Sequence, residues 1–241
     1  MEKIFRPKPV KAESEVHLQG LILGRLKRKK FDCDLNNIDV SLITDMKNLF
    51  NGGGGLRQFN GDISKWDVSN VKNMYAMFDN TQFNGDISDW DVSNVTSMSS
   101  MFSQAQFNGD ISKWNVSKVT NMGFMFSRSK FKGDISDWNV SNVKDMLGMF
   151  RGSLFNGDIS GWDVSNVVNM SYMFEDSEFN GDISDWDVSN VTDVTDMFKN
   201  SALERSGNIP DWYYKKTKEI RAKEEWPGED VDPDEEFDLE E

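Results

Sequence analysis

From Phe59 onward one phrase returns every 24 residues, and that period narrows the possible folds to a stack of like units. The phrase reads FNGDISKWDVSNVKNMYAMF and recurs from Phe83, Phe107, Phe131, Phe155 and Phe179. A weaker copy, FDCDLNNIDVSLITDMKNLF, starts at Phe31 and is followed by four extra residues around Gly52 to Gly55. A unit this short cannot bury its apolar side alone, so neighbours must stack into one continuous core. The hydrophobic fraction of 37% is low for a compact globule. Concentrated at fixed places in each repeat, it is enough for a narrow core.

Within 59–82, Gly61-Asp62-Ile63-Ser64 reads as a short strand, with Ile63 inward and Asp62 and Ser64 outward. Ser69 stands where a helix N-cap belongs, ahead of Val71, Met74, Met77 and Phe78 at spacings of three, four and seven. This pattern predicts one face of a short helix over 70–78. Phe59, Trp66 and Val68 join the core, and Asp67 closes an Asx-type turn. The expected fold is an α/β solenoid of short parallel strands and short helices, with like residues about 4.8 Å apart along the stack. Met77, Met101, Met125, Met149, Met173 and Met197 are then core filler, not a metal or redox stripe. The tryptophans from Trp66 to Trp186 form a buried ladder in preference to a sugar-stacking row.

Both ends of such an array need covers. Ser14 caps a helix expected over 15–30, whose apolar side is Val16, Leu18, Leu21, Ile22 and Leu26. At the other end, 203–212 keeps a trace of the repeat, Pro210 stops the ladder, and a second capping helix follows. The organisation expected is an arm and capping helix at 1–30, seven repeats and a degenerate eighth at 31–212, a capping helix at 213–226 and an acidic tail at 227–241. That tail has the composition of a disordered segment.

The residues of the phrase, with Trp, DVSNV and MxxMF together in nearly every copy, resemble the BspA-like class of leucine-rich repeats over about 31–212. The resemblance implies a curved, leucine-rich-repeat-like solenoid with strands on its concave side. It also implies protein recognition or adhesion in place of catalysis, and no cofactor. Proteins with this repeat are typically exported or anchored, whereas this chain shows no signal-peptide stretch, anchor or apolar run of membrane length. Repeats of this kind also occur in viral and phage genomes. The setting expected is therefore the cytoplasm of the producing cell, or a virion, with no membrane partner.

Charge and composition exclude other classes. One cysteine, Cys33, gives no disulfide framework or zinc spacing, and one histidine, His17, leaves little scope for histidine catalysis. The net charge of −14 argues against non-specific nucleic-acid binding. No nucleophile and base pair, phosphate loop or metal cluster stands out, so an enzyme is not expected.

Candidate sites lie in what the stacking does not explain. Asp34, Asp62, Asp86, Asp110, Asp134, Asp158 and Asp182 should line one face, where divalent-cation binding competes with the plainer reading of turn hydrogen bonds. Lys65, Asp89, Lys113, Asp137, Gly161 and Asp185 pair along the stack. The positions after Met74 and its equivalents vary between copies, and Tyr75, Phe124, Leu147 and Tyr172 are apolar where others carry Ser, Gly, Thr or Asp. These four are the candidate partner-binding patch. The basic run at 25–30 either complements the dipole of its helix or meets an acidic partner, including the acidic tail of another copy. The leading expectation is a non-catalytic recognition or scaffold module that binds a protein. The alternative is a structural component of a virion or other large assembly, docking through its charged ends.

Overall fold

The computed structural model describes residues 9–53 and 55–225. The arm up to residue 8 and the acidic tail from residue 227 lie outside the described residues. We number the repeats as coils 1 (31–58), 2 (59–82), 3 (83–106), 4 (107–130), 5 (131–154), 6 (155–178) and 7 (179–202).

Successive coils are joined by parallel bridges, Asp45 to Asn73, Asn73 to Ser97, and so on through Asn121, Asp145 and Asn169 to Asp193. From this point each coil sends alternate N–H groups to the next coil. Met74, Ala76, Phe78 and Asn80 donate to the carbonyls of Ser97, Ser99, Met101 and Ser103 at 2.7–3.0 Å. The pairing therefore runs through the segment where the sequence predicts a helix, and 70–78 is a chain of tight turns instead. The physical reason is donor allocation. A helix bonds each N–H to the carbonyl four residues back, but here alternate N–H groups are committed to the neighbouring coil. Those between them close short bonds, Met77 to Met74 and Asp79 to Ala76. Ala76 and Asn80 turn the chain with φ of 50° and 53°, and two residues do the same in every later coil.

The inward set is the one the spacing picks out. Val71, Met74, Met77 and Phe78 are buried, as are Phe59, Ile63, Trp66 and Val68. Two phenylalanine columns interleave: Phe78 stacks on Phe83 at 4.3 Å and on Phe102 at 5.7 Å, while Phe83 stacks on Phe107 at 6.2 Å. Each indole also spends its N–H between coils: Trp90 donates to the Ile63 carbonyl at 3.2 Å and Trp138 to that of Ile111 at 3.1 Å. The expected strand at 61–64 keeps its in-and-out alternation but pairs only briefly with coil 1, Asp62 donating to the Cys33 carbonyl at 3.3 Å and accepting from the Leu35 N–H at 2.9 Å, before Asp62 Oδ1 accepts from the Ser64 N–H at 2.9 Å and bends the backbone into a turn. Ser69 is no helix cap; its N–H and hydroxyl donate to Asp67 at 3.1 and 2.6 Å, which closes the expected Asx turn.

The ends are built from ordinary elements. Strand β1 (Val10–Lys11) pairs in parallel with β2 (Ile38–Asp39) in coil 1, a contact the sequence did not announce. Helix α1 (Glu15–Lys29) is capped by Ser14 and buries Leu18, Ile22 and Leu26, with Leu21 partly buried. Val16, expected on that face, is 82% exposed. After coil 7 a short helix, α2 (Ala202–Ser206), precedes α3 (Asp211–Glu225), which begins two residues before the expected 213. Trp212 extends the indole ladder into α3, donating to the Ile183 carbonyl at 2.9 Å, and Tyr213 packs edge-on against Phe198 at 5.0 Å. Lys216 ties the same helix to coil 7 through the Ser189 carbonyl at 3.2 Å.

The caps cover the apolar ends and leave part of the bridge column open. Among the described residues, the N–H groups of Val194, Asp196 and Phe198 have no acceptor, and the carbonyls of Asp45, Lys47 and Leu49 have no donor. Only the outermost rung is closed at each end. The Asn200 N–H reaches Glu204 at 2.6 Å and the Asn51 carbonyl takes Arg57 at 3.0 Å.

The indole ladder gives a direct test. Trp138→Phe keeps an aromatic ring and removes one of the two donors to the Ile111 carbonyl, which still accepts from the Trp114 N–H at 3.1 Å, so we expect the lost bond to cost about 0.5–1.5 kcal/mol in urea denaturation. Met149→Leu, a swap inside the core, should cost less than about 1.5 kcal/mol. A denaturation midpoint left unmoved by the Trp138 change would show that the bond contributes nothing to stability.

Candidate partner-binding surface

The turn that follows each bridge residue presents two variable positions, and the backbone treats them differently. Tyr75 and Leu147 occupy the first, Phe124 and Tyr172 the second. The second position is left-handed in every coil: Ala76, Ser100, Phe124, Gly148, Tyr172 and Asp196 have φ between 49° and 58°. For an L-residue other than Asn or Asp this costs roughly 1–2 kcal/mol. Glycine at 148 therefore needs no explanation, whereas Phe124 and Tyr172 hold aromatic rings where the backbone disfavours them.

Of the four expected patch residues, the structure brings three together on adjacent coils. Phe124 in coil 4, Leu147 in coil 5 and Tyr172 in coil 6 are half-buried, and the Phe124 N–H donates to the Leu147 carbonyl at 2.7 Å. The Phe124 ring lies over Gly148 so closely that any side chain there would collide with it. Tyr75 is 44% exposed but sits in coil 2, separated from the others by the Ser99-Ser100 turn of coil 3.

Two arginines belong to this surface that the sequence reading did not single out. Arg151 stands over the Tyr172 ring, 5.6 Å from its centroid. Its Nε also approaches Glu175 at 2.6 Å. The Nε–H is not aligned on that oxygen, so the contact is an ion pair more than a hydrogen bond. The stem of Arg128 runs along Gly152, with Cγ 3.0 Å from where a Cβ would stand. A signal was available in the second variable pair of the same turn, Ser127-Arg128 beside Arg151-Gly152, where a glycine on one coil faces a long side chain on the coil before it.

The acidic column is organised differently. In Asp86, Asp110, Asp134, Asp158 and Asp182 the Oδ1 atom accepts from the N–H of the serine two residues on, at 2.9–3.0 Å, and from its hydroxyl at 2.7–2.8 Å. Asp62 makes the same pair with Ser64, and Asp34 accepts from the Asn36 N–H at 2.7 Å. The serine N–H and then its hydroxyl hold Asp110, Asp134 and Asp158 below the usual carboxylate range. For Asp134 the neighbouring Asp110 and Asp158 carboxylates oppose the shift without reversing it. Among the described residues no three His, Cys, Asp or Glu side chains gather as metal ligands. The column is thus a row of separate turns, each carboxylate from Asp62 to Asp182 facing its own serine and Asp34 facing Asn36. Two clefts of about 350 and 670 Å³ flank α3, and of the expected residues only Asp182 lines either.

A family model described as Mycoplasma protein of unknown function, DUF285, matches residues 24–132 and 128–224. The chain belongs to that family. No curated protein and no solved structure matches it. Among the described residues of this DUF285 chain, no helix is long and apolar enough to cross a membrane.

The acidic column sets the pH response. Asp62, Asp86, Asp110, Asp134, Asp158 and Asp182 have folded-state values below the unfolded one, so they add stability that is fully present above pH ~4 and lost as the pH falls further. Replacing Asp110, Asp134 and Asp158 with Asn should keep the turns, since Asn115 and Asn139 already close equivalent turns with Ser117 and Ser141 at 3.1 Å. Thermal melts from pH 7 to 3 should then show a shallower acid limb than wild type. Superimposable profiles would remove these groups as its source.

Proposed function

We propose that this DUF285 chain is a non-catalytic recognition module, a leucine-rich-repeat-like solenoid of the BspA-like kind that binds a protein partner through the turn side of coils 4 to 6. It uses no cofactor and works in the cytoplasm of the producing cell. One observation carries the reading: Phe124, Leu147 and Tyr172 sit on adjacent coils at positions that Ser, Thr, Gly and Asp fill elsewhere on the same backbone. Stacking does not ask for them, and two of the three oppose the local backbone preference. Aromatic side chains kept at such positions supply contact area to another protein at low entropic cost.

Replacing Tyr75, Phe124, Leu147 and Tyr172 with Ser tests this. The variant should melt within about 1 kcal/mol of wild type. Immobilised, it should retain at least tenfold less of the partner that the wild-type chain captures from its own cells or particles. Equal retention by a folded variant would rule the patch out.

A second reading, assembly through the ends of the stack, is favoured by the open rungs. Donors at Val194, Asp196 and Phe198 and acceptors at Asp45, Lys47 and Leu49 are complementary, and joining them end to end gives an open, non-closing contact. In that setting the chain is a component of a larger particle. Sedimentation equilibrium of the full chain should then show species that grow with concentration, whereas a monomer at every concentration and salt level sinks the idea. The charged-end version, with Lys27 and Arg28 exposed on α1, predicts association that weakens as salt rises.

A further inference from the structure

We propose that the turn side of coils 4 and 5 takes an acidic peptide segment with an apolar residue between its carboxylates. This rests on the protein-recognition reading above and narrows the chemistry of the partner. On this side, segments 120–130 and 144–154 carry Arg128, Lys130, Lys144 and Arg151 against one acid, Asp145, in a chain of net charge −14, whereas Lys132 lies beside Asp110 and Asp134 of the acidic column. Asp145 is already engaged, accepting from the Leu147 N–H and from Asn121 Nδ2 at 3.0 Å each. Arg151 is engaged by Glu175.

The other three, Arg128, Lys130 and Lys144, are exposed and form no ion pair among the described residues. Some turn-side cations elsewhere are paired, as in Lys47 with Asp45 and Lys199 with Asp196, while Lys72, at the repeat position of Lys144, is exposed and in no ion pair among the described residues. Coils 4 and 5 leave theirs open in a molecule with acids to spare, beside the Phe124, Leu147 and Tyr172 strip. The stem of Arg128 is laid along Gly152, which limits where its guanidinium can go. Carboxylates placed on either side of an apolar side chain match that arrangement.

The test uses the full chain and a fluorescein-labelled peptide, DEEFDEEFDE, followed by fluorescence anisotropy. Saturable binding is expected, weakening at least tenfold between 50 and 300 mM NaCl. It should also weaken at least tenfold in K130E/K144E, a variant whose circular-dichroism melt should match wild type. The same peptide with Gln and Asn for its acids should not bind. The proposal is overturned if the acidic peptide fails to bind, if the charge-reversed chain binds it equally, or if a ten-nucleotide single strand binds as tightly as the peptide. Failure here combined with partner loss in the serine variant would leave protein recognition standing and remove only the acidic specificity.

Discussion

The rest of the structure depends on the set of bonds that each turn sends to the next coil. Once the N–H groups of Met74, Ala76, Phe78 and Asn80 are committed forward, the segment cannot be a helix and must reverse direction within few residues. Two left-handed residues per coil make those reversals. The fixed register then places each phenylalanine and tryptophan over its equivalent, so that the ring columns and the indole bonds follow from the same alignment. The extra residues near Gly52 to Gly55 are tolerated because they fall between the turn of coil 1 and the next phenylalanine. There a 3₁₀ turn at Leu56–Gln58 absorbs them, and the Asp45 to Asn73 bridge keeps its place.

This dependence explains what could be read from the sequence. Within the repeats burial was legible to the residue, because Val71, Met74, Met77 and Phe78 face inward whether their segment is a helix or a run of turns. Conformation was not, since spacings of three and four belong to both. What separates the two is the destination of the N–H groups, and a neighbour 24 residues away does not show in local periodicity. The repeated second variable position held a partial clue, as Gly148 and Asp196 suit a left-handed backbone better than a helix interior. The candidate surface was legible through Phe124, Leu147 and Tyr172. It was incomplete because Arg151 acts on Tyr172 of the adjacent coil, a pairing that only the stacked register creates.

Stability and recognition therefore draw on different atoms of the same turn. The main chain is committed to the ladder and the inward side chains to the core, so substitutions at the outward positions leave both intact. That separation lets one coil carry Ser99-Ser100 and the next Gly123-Phe124 on an equivalent backbone. The cost of an aromatic ring in a left-handed position is local, and in a one-dimensional array it is spread over no more than the coil and its neighbours. The array can bear such strain in a few coils while the others keep undemanding residues.

Charge follows the same local logic. The total of −14 suggests a uniformly repelling surface for any acidic partner, yet screening at physiological salt limits each charge to about 8 Å, less than two coil steps. Within that range coils 4 and 5 differ from the rest. Asn115 and Asn139 replace the aspartates of the second turn column, Lys118 replaces its asparagine and donates to Asn94 at 2.7 Å, and the cations of the turn side cluster nearby in sequence. The serine bonds that hold the first acidic column also confine each of its carboxylates to its own turn. A stack built from acidic repeats can in this way hold a basic stretch at its centre, and the identity of a partner is set there by a few side chains while the net charge governs solubility.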